Sequence, residues 1–250
     1  MSAPKLALSA IPRFYVATPL VVGEALAVPS DLLHHMQVLR LAVGDTVMVF
    51  DGHGAEFTAR LDELGKKHAR LHITAQTHVS RESSCTVTLI QAISSSDRMD
   101  WTLQKATELG VGQIIPVQST RSVVRLSGER ANKRVQHWQQ VVIAACEQCG
   151  RNHVPPVRPI HSVSEICTWL AQQSTPAYYL SPYAQHRLRD IVPSTALTFI
   201  AGAEGGWTAE EEQALLAVAS IPLVFGPRVL RTETAAVALL AAVQSQWGDC

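Results

Sequence analysis

The stretch Leu197-Thr198-Phe199-Ile200-Ala201-Gly202-Ala203-Glu204-Gly205-Gly206 decides the fold of this chain. Its apolar first half is typical of a buried strand, and its glycine-rich second half is typical of a turn. Thr208 and Glu211 follow with the spacing of a capping box, which predicts the start of a helix. The stretch therefore predicts a strand, a glycine loop and a helix in succession.

A second apolar run, Pro222–Phe225, ends at Gly226 in the same way, and a long helix begins near Thr232. In open α/β sheets, ligands bind outside the carboxyl ends of the strands, where glycine lets the backbone approach them closely. The two loops therefore indicate a ligand site, although ordinary strand-to-helix turns would also explain them. Neither loop contains Gly-x-Gly-x-x-Gly or Gly-Lys-Ser/Thr, which disfavours a common dinucleotide or triphosphate site.

Residues 79–250 alternate strand and helix patterns, which indicates an α/β domain with a mostly parallel sheet. Val87–Ile93 is an apolar strand, and Asp97 is placed to cap the helix that follows it. The last helix, from Ala235 to Trp247, is apolar almost all round, so it must be covered on most sides. Burial between the sheet and a second subunit would explain that pattern.

Residues 1–78 have a different pattern, which predicts four or five short strands of alternating polarity with glycine-containing turns. Ser30 could cap a short helix through Arg40, with Leu32, Leu33, Met36 and Leu39 turned inward. The polar segment from Val79 to Ser84 is a predicted linker. The chain is therefore expected to hold a small β-barrel, residues 1–78, followed by the α/β domain.

The composition limits the possible functions. Lys plus Arg and Asp plus Glu each total 21, so the net charge is zero, but residues 81–160 carry ten basic and six acidic side chains. That middle third is the expected polyanion surface, or else a solvated helix face. No segment reaches the length of a membrane span and the first residues lack a signal-peptide pattern, so a cytoplasmic protein is expected. Five scattered cysteines agree with a reducing compartment.

A metal site is not expected. Cys146, Cys149 and His153 have suggestive spacing, but no second cysteine pair completes a zinc site, and Cys149 lies in an apolar helix stripe. Nucleophile motifs such as Gly-x-Ser-x-Gly are missing. Polar residues do cluster near the predicted ligand site, namely Glu204, Arg231, Thr232, Glu233 and Thr234. An arginine beside a carboxylate there is either a helix-start ion pair or a charge pair that stabilises an anionic substrate.

Together these stretches resemble the bacterial 16S ribosomal RNA uridine N3-methyltransferases of the SPOUT superfamily. The resemblance covers nearly the whole chain, and its most specific part is Gly226-Pro227-Arg228-Val229-Leu230-Arg231-Thr232-Glu233-Thr234-Ala235. The other matching segments are Arg13–Val16, His35–Leu41 with Gly44-Asp45, Gln104–Val111, Glu147–Arg151 and Gly202–Gly206. The chain departs from the family pattern at Ala203, where proline is usual, and at Ser94-Ser95-Ser96, where a basic residue is usual.

The resemblance implies an N-terminal PUA-like β-barrel that holds RNA, a C-terminal domain tied in a trefoil knot, and a homodimer. It also implies S-adenosylmethionine as the cofactor, bound in the knot. The implied cofactor-binding residues are Leu180, Gly202, Ala203, Glu204, Gly205, Gly206, Phe225, Gly226, Val229, Leu230 and Thr234.

The expected reaction is methylation of N3 of a uridine in 16S ribosomal RNA of the small subunit. Arg231 would stabilise charge on the uracil oxygens, and Glu233, or else Glu204, would accept the N3 proton. The candidate RNA contacts are Arg13, Arg40, Arg121, Arg125 and Arg151. Two alternatives stay open: a related methyltransferase acting on another ribosomal RNA position or a ribose 2′-hydroxyl, and a non-catalytic RNA-binding assembly factor.

Overall fold

The computed structural model describes residues 11–250, which divide into two compact units. The first consists of the described residues up to Glu82 together with Cys146–Val154, and the second of Ser83–Ala145 together with Pro155–Cys250. The sequence analysis assigned residues 146–154 to the second domain. In the structure this segment contributes to the first unit, because its polar groups bind side chains there.

The first unit is built on a five-stranded sheet with the order β1-β3-β4-β5-β2. Strands β1 and β3 are parallel, and the other pairs are antiparallel. The strands are β1 (Arg13–Tyr15), β2 (Ala25–Ala27), β3 (Thr46–Phe50), β4 (Ala55–Leu64) and β5 (Ala69–His78). Strand β2 was not predicted, because three residues are too few to show an alternating pattern.

Alternating apolar side chains form the core of this unit, as the sequence indicated. Val47 and Val49 of β3 are fully buried. Helix α1 (Ser30–Val38) adds Leu32, Leu33 and Met36 to the same core. Two details of the prediction were wrong. Pro29, not Ser30, is the N-cap, and Leu39, beyond the last helical residue, is 45% exposed.

A buried charge cluster also holds the first unit together. The carboxylate of Glu56 accepts hydrogen bonds from Arg13 at 2.7 Å and from Arg81 at 3.0 Å. Both guanidinium groups also donate to the carbonyl oxygen of Gly150, and Arg13 donates to Oδ1 of Asn152 at 2.7 Å. Shared hydrogen bonds of this kind are what allow charges to be buried. Arg81 lies in the predicted linker, which is therefore anchored rather than free.

The second unit contains a fully parallel seven-stranded sheet with the order β10-β12-β9-β11-β6-β7-β8. The strands are β6 (Thr86–Ala92), β7 (Val111–Gln118), β8 (His161–Ser162), β9 (Ala177–Leu180), β10 (His186–Arg187), β11 (Ala196–Ala201) and β12 (Ile221–Val224). The predicted parallel α/β domain is confirmed. Strands β8 and β10 were not predicted, since two-residue strands carry no periodicity.

The helices of this unit are α2 (Ser96–Glu108), α3 (Gly128–Cys149), α4 (Val163–Leu170), α5 (Ala209–Ala217) and α6 (Thr232–Trp247). Three of them, α2, α5 and α6, begin close to their predicted positions. Thr208 and Glu211 form the predicted capping box of α5. In α2, however, the N-cap is Ser95, and Asp97 lies in the first turn. The helix dipole still favours an acidic residue there.

Helix α6 buries Ala236, Leu239, Leu240 and Val243, while the alanines between them stay partly exposed. Among residues 11–250, no helix is long and apolar enough to cross a membrane. The trefoil knot stays a prediction.

Candidate functional site

A cavity of about 580 Å³ opens at the carboxyl ends of β9, β11 and β12 in the second unit. These strands are neighbours in the sheet, so the segments that follow them meet at one edge. The cavity wall is formed by the end of β9 with Ser181–Tyr183, by the loop Gly202–Gly206 with Trp207, by Phe225 and Arg228–Thr232, and by Arg98, Arg121, Glu212 and Ala235. The predicted convergence of the two glycine-containing loops is therefore present in the structure.

The Gly202–Gly206 loop needs its glycines for two different reasons. A Cβ on Gly202 would lie 3.2 Å from Nε1 of Trp207, which is tighter than side chains normally pack. Gly206 has φ of +69°, a left-handed conformation that favours glycine. Arg121 fixes the loop, because its Nη1 donates to the carbonyl oxygens of Gly205 at 2.8 Å and of Trp207 at 3.0 Å.

Thr232 connects the two loops directly. Its hydroxyl donates a hydrogen bond of 2.5 Å to the carbonyl oxygen of Gly202, and it accepts one of 3.0 Å from Nε2 of Gln91. Both Thr232 and Gln91 are buried. The start of α6 is thereby fixed to the end of β11, and this holds the walls of the cavity in register.

A charge cluster lies beside the cavity. Arg98 of α2 donates to Oε1 of Glu204 at 3.1 Å, and its Nε lies 3.7 Å from Oε1 of Glu233. The same Glu204 oxygen accepts the main-chain N–H of Ser95 at 3.1 Å, so this carboxylate satisfies the amino end of α2. The remaining oxygen of Glu233, Oε2, is buried and has no hydrogen-bond partner among the described residues.

The two carboxylates of the cluster, Glu204 and Glu233, differ in how far their oxygens are already hydrogen-bonded. Burial alone would raise the pKa of Glu204, but hydrogen bonds from its own N–H and that of Ser95, together with the charge of Arg98, leave the pKa lowered. Glu204 is thus an ionised carboxylate whose oxygen is already engaged. Glu233 retains a free acceptor oxygen.

Most of the predicted site residues line the cavity. The predicted residues found in its wall are Leu180, Gly202, Ala203, Glu204, Gly205, Gly206, Phe225, Val229, Leu230 and Arg231. Three others lie outside that wall. Gly226 lines a neighbouring cavity, Thr234 is exposed on α6, and Glu233 forms an ion pair with Arg98.

Sequence reasoning missed Arg98, although a basic residue was expected three residues earlier, within Ser94–Ser96. The signal was available, because Arg98 lies one helical turn after the N-cap Ser95, on a helix that follows β6, an inner strand of the sheet. It also gave no role to Trp207, which packs beneath Gly202.

The predicted RNA-contact arginines separate into two groups. Arg13 and Arg151 are 8% and 4% exposed, and they bind Glu56 and Glu82 respectively, so the structure does not present them to a ligand. Arg40, Arg121 and Arg125 are exposed. Arg121 and Arg125 each donate to a main-chain carbonyl, which orients their side chains.

The Cys146 thiol is buried and donates to the carbonyl oxygen of His153 at 3.6 Å. Burial raises the pKa of this thiol to about 12, which keeps it protonated and unsuited to bind a metal. In the described part of the chain, no group of three or more His, Cys, Asp or Glu side chains is placed to hold a metal ion. Cys85, Cys146, Cys167 and Cys250 are free thiols.

Comparison with known proteins agrees with this architecture. The family model described as an RNA methyltransferase domain matches residues 81–244, and the RNA methyltransferase PUA domain matches residues 28–74. The structure is similar to that of ribosomal RNA small subunit methyltransferase E from Neisseria gonorrhoeae bound to S-adenosyl methionine. The two are 45% identical, with a TM-score of 0.92, over 96% of this chain and 99% of that one.

Two other relatives agree. A structure from Legionella pneumophila, in complex with the bound cofactor SAM, is 33% identical, with a TM-score of 0.92, over 96% of this chain and 100% of the other. Ribosomal RNA small subunit methyltransferase E of Bacillus subtilis is 29% identical over 88% of this chain and 90% of its own length. On these matches the chain belongs to the RNA methyltransferase family that includes the ribosomal RNA small subunit methyltransferase E proteins.

Proposed function

We propose that this protein transfers a methyl group from S-adenosylmethionine to N3 of a uridine in 16S ribosomal RNA of the small ribosomal subunit. One observation carries the proposal: two glycine-containing loops, joined by Thr232, enclose a cavity of about 580 Å³ at the carboxyl edge of a parallel sheet. The relative from Neisseria gonorrhoeae, 45% identical, was solved with S-adenosyl methionine bound.

The residues of the cavity suit such a cofactor. Its volume lies within the range of about 300–1,000 Å³ that is typical of small-molecule sites. Leu180, Leu223 and Phe225 supply apolar wall for an adenine ring, and the Gly202–Gly206 backbone can approach the ligand closely. Two acidic side chains, Glu204 and Glu212, line the same cavity together with four arginines, so charged groups of both signs surround a bound ligand. When bound, S-adenosylmethionine supplies an electrophilic methyl group.

The protein's contribution to such a transfer is mainly positioning and electrostatics. Arg231 is the N-cap of α6, is exposed, and lines the cavity. In this proposal its guanidinium stabilises the negative charge that spreads onto the uracil oxygens as N3 loses its proton. The uridine would be unstacked from its neighbours to reach it.

Glu233 does not line the cavity wall, but of the two carboxylates it is the better candidate for accepting the N3 proton. Its Oε2 makes no hydrogen bond to a described residue, whereas Oε1 of Glu204 already accepts from Ser95 and Arg98. The lowered pKa of Glu204 also makes that carboxylate a weaker base. We therefore propose Glu233 as the base and Glu204 as a residue that fixes Arg98.

We also propose that the protein acts as a homodimer in the bacterial cytoplasm, and that Arg40, Arg121 and Arg125 contact RNA phosphates. The partly exposed alanines of α6, among them Ala238 and Ala242, support a dimer, because a second subunit would cover them. Light scattering after size-exclusion chromatography measures the oligomeric state.

The decisive experiment combines purified protein, methyl-labelled S-adenosylmethionine and small ribosomal subunits lacking the modification. Nucleoside mass spectrometry of the recovered RNA should identify N3-methyluridine. A methylated ribose or another base would identify a different methyltransferase. Cofactor binding without any product would favour the non-catalytic assembly factor.

A further inference from the structure

A second cavity, of about 510 Å³, lies next to the first in the second unit. It opens at the carboxyl ends of β10 and β12, the two strands at one side of the sheet. Its wall shares Pro182, Val224, Arg228 and Val229 with the first cavity. A ligand in the second cavity would therefore lie directly beside one in the first.

The second cavity is positively charged. Arg187 pairs with Val224 in the sheet, and Arg228 follows four residues after Val224, so both arginines reach the same cavity. Within the described part of the chain, the wall includes no acidic side chain, and neither guanidinium forms an ion pair with a described carboxylate. Two exposed arginines that have no ion-pair partner among residues 11–250 favour an anionic ligand at this concave site.

An exposed aromatic ring lies on the loop between the cavities. Tyr183 is 90% exposed, lines the first cavity, and directly follows Pro182, which lines both. Its main-chain N–H donates to Oγ of Ser181 at 3.4 Å, which fixes the backbone of the loop. Exposed aromatic rings beside arginines are the usual platform for bases of single-stranded nucleic acid.

We propose that this second cavity binds the nucleotide adjacent to the methylated uridine in the RNA substrate. Its phosphate lies between Arg187 and Arg228, and its base stacks on Tyr183. The proposal rests on the proposed function, because it takes the first cavity as the place of methyl transfer. The second cavity adds a subsite that binds the RNA backbone and keeps the target uridine unstacked.

The test measures RNA binding separately from methylation. A fluorescein-labelled single-stranded oligouridylate is titrated with wild-type protein and with four variants, Tyr183→Ala, Tyr183→Phe, Arg187→Ala and Arg189→Ala, at several salt concentrations. Arg189 is the matched control: it lies two residues from Arg187, its side chain is 73% exposed, and it lines neither cavity. Calorimetry with S-adenosylmethionine and a thermal melt check that each variant keeps its cofactor site and its fold.

Tyr183→Ala should weaken oligouridylate binding about tenfold, and Tyr183→Phe should bind like the wild type, because phenylalanine retains the stacking face. Arg187→Ala should weaken binding and reduce the slope of log affinity against log salt by about 0.7, the value for one lost phosphate contact on a single strand. Arg187→Ala should leave cofactor affinity unchanged, and Arg189→Ala should change neither quantity.

If Tyr183→Ala and Arg187→Ala both bind oligouridylate as Arg189→Ala does, the second cavity is not an RNA subsite and the proposal is overturned. That result is independent of the proposed function, which fails if wild-type protein forms no N3-methyluridine in ribosomal RNA. Loss of binding in Tyr183→Phe to the same extent as in Tyr183→Ala would also contradict stacking.

Discussion

The hydroxyl of Thr232 donates to the carbonyl oxygen of Gly202 over 2.5 Å, joining two residues that are 30 positions apart in the chain. This bond brings the two glycine-containing loops together at one edge of the sheet. Both loops line the same cavity, so the shape of that cavity depends on their proximity.

Thr232→Val should therefore lower both the stability of the fold and the affinity of the cavity for its ligand. Valine keeps the shape but leaves the buried carbonyl of Gly202 without its donor, which should lower the free energy of unfolding by about 1–3 kcal/mol. Urea denaturation measures this, and calorimetry should show weaker S-adenosylmethionine binding. Thr232→Ser keeps the hydroxyl and should behave nearly as the wild type. A loss in Thr232→Ser with none in Thr232→Val would show that the methyl group, not the hydroxyl, is what matters.

Gly202→Val should abolish cofactor binding. A Cβ added at this position would lie 3.2 Å from Nε1 of Trp207, so a branched side chain must displace the indole or fill the cavity. The measurement is calorimetric titration with S-adenosylmethionine. Ala209→Val, at an exposed position at the start of α5, adds similar bulk outside the cavity and should bind normally. Unchanged affinity in Gly202→Val would refute the assignment of this loop to the cofactor.

Arg231→Ala should lower the methylation rate by about 10²–10³-fold, the usual cost of removing one group that stabilises developing negative charge. Cofactor affinity should change little, because the proposed role of the guanidinium is towards the uracil. Single-turnover methylation of small ribosomal subunits, with calorimetry alongside, separates the two effects. Arg231→Lys keeps the charge and should recover part of the rate. A parallel loss of cofactor binding would mean that the arginine is structural.

Glu233→Gln should lower the methylation rate by about 10²–10⁴-fold, as expected for the loss of a general base. Glu204→Gln should have a smaller effect, because the wild-type carboxylate is already occupied by Ser95 and Arg98. Raising the pH should partly restore Glu233→Gln, since uracil N3 then loses its proton to solvent more readily. A larger loss of methylation rate in Glu204→Gln than in Glu233→Gln would assign the base to Glu204.

Arg98→Gln should make the free energy of unfolding less dependent on pH. The pKa of Glu204 is lowered from 4.5 in the folded protein, so this carboxylate adds stability above that pH and loses it as the pH falls through the folded value. Without Arg98 the pKa should rise, and the variant should be less stable than the wild type at neutral pH. The difference should shrink below pH 4.5. Thermal melts across this range test it, with Arg130→Gln on the surface of α3 as control.

Local patterns predicted much of this fold. The strand predicted at Val87–Ile93 lies within one residue of β6 at both ends, and the spacing of Thr208 and Glu211 gave the start of α5. Such features depend on neighbouring residues alone, so periodicity and capping rules suffice for them. The glycine loops that line the cavity were found in the same way.

What the sequence did not predict depends on distant partners. Local reasoning gave Asp97 the role of capping α2, yet the main-chain N–H of Ser95 is satisfied by Glu204, 109 residues away. The pairing of Arg98 with Glu204 and Glu233 is equally remote. The short strands β8 and β10 form only because longer neighbours pair with them.

The cluster around Glu56 bears on how the protein folds as it is synthesised. Arg13 and Arg81 both need the carbonyl of Gly150, and Arg13 also needs Asn152. These groups leave the ribosome some seventy residues after Arg81. Until that later segment has emerged, the charged side chains of the first unit lack some of their hydrogen-bond partners. The first unit is therefore complete only after the chain has been synthesised through Asn152. A fragment that ends at Glu82 lacks the groups that complete the cluster.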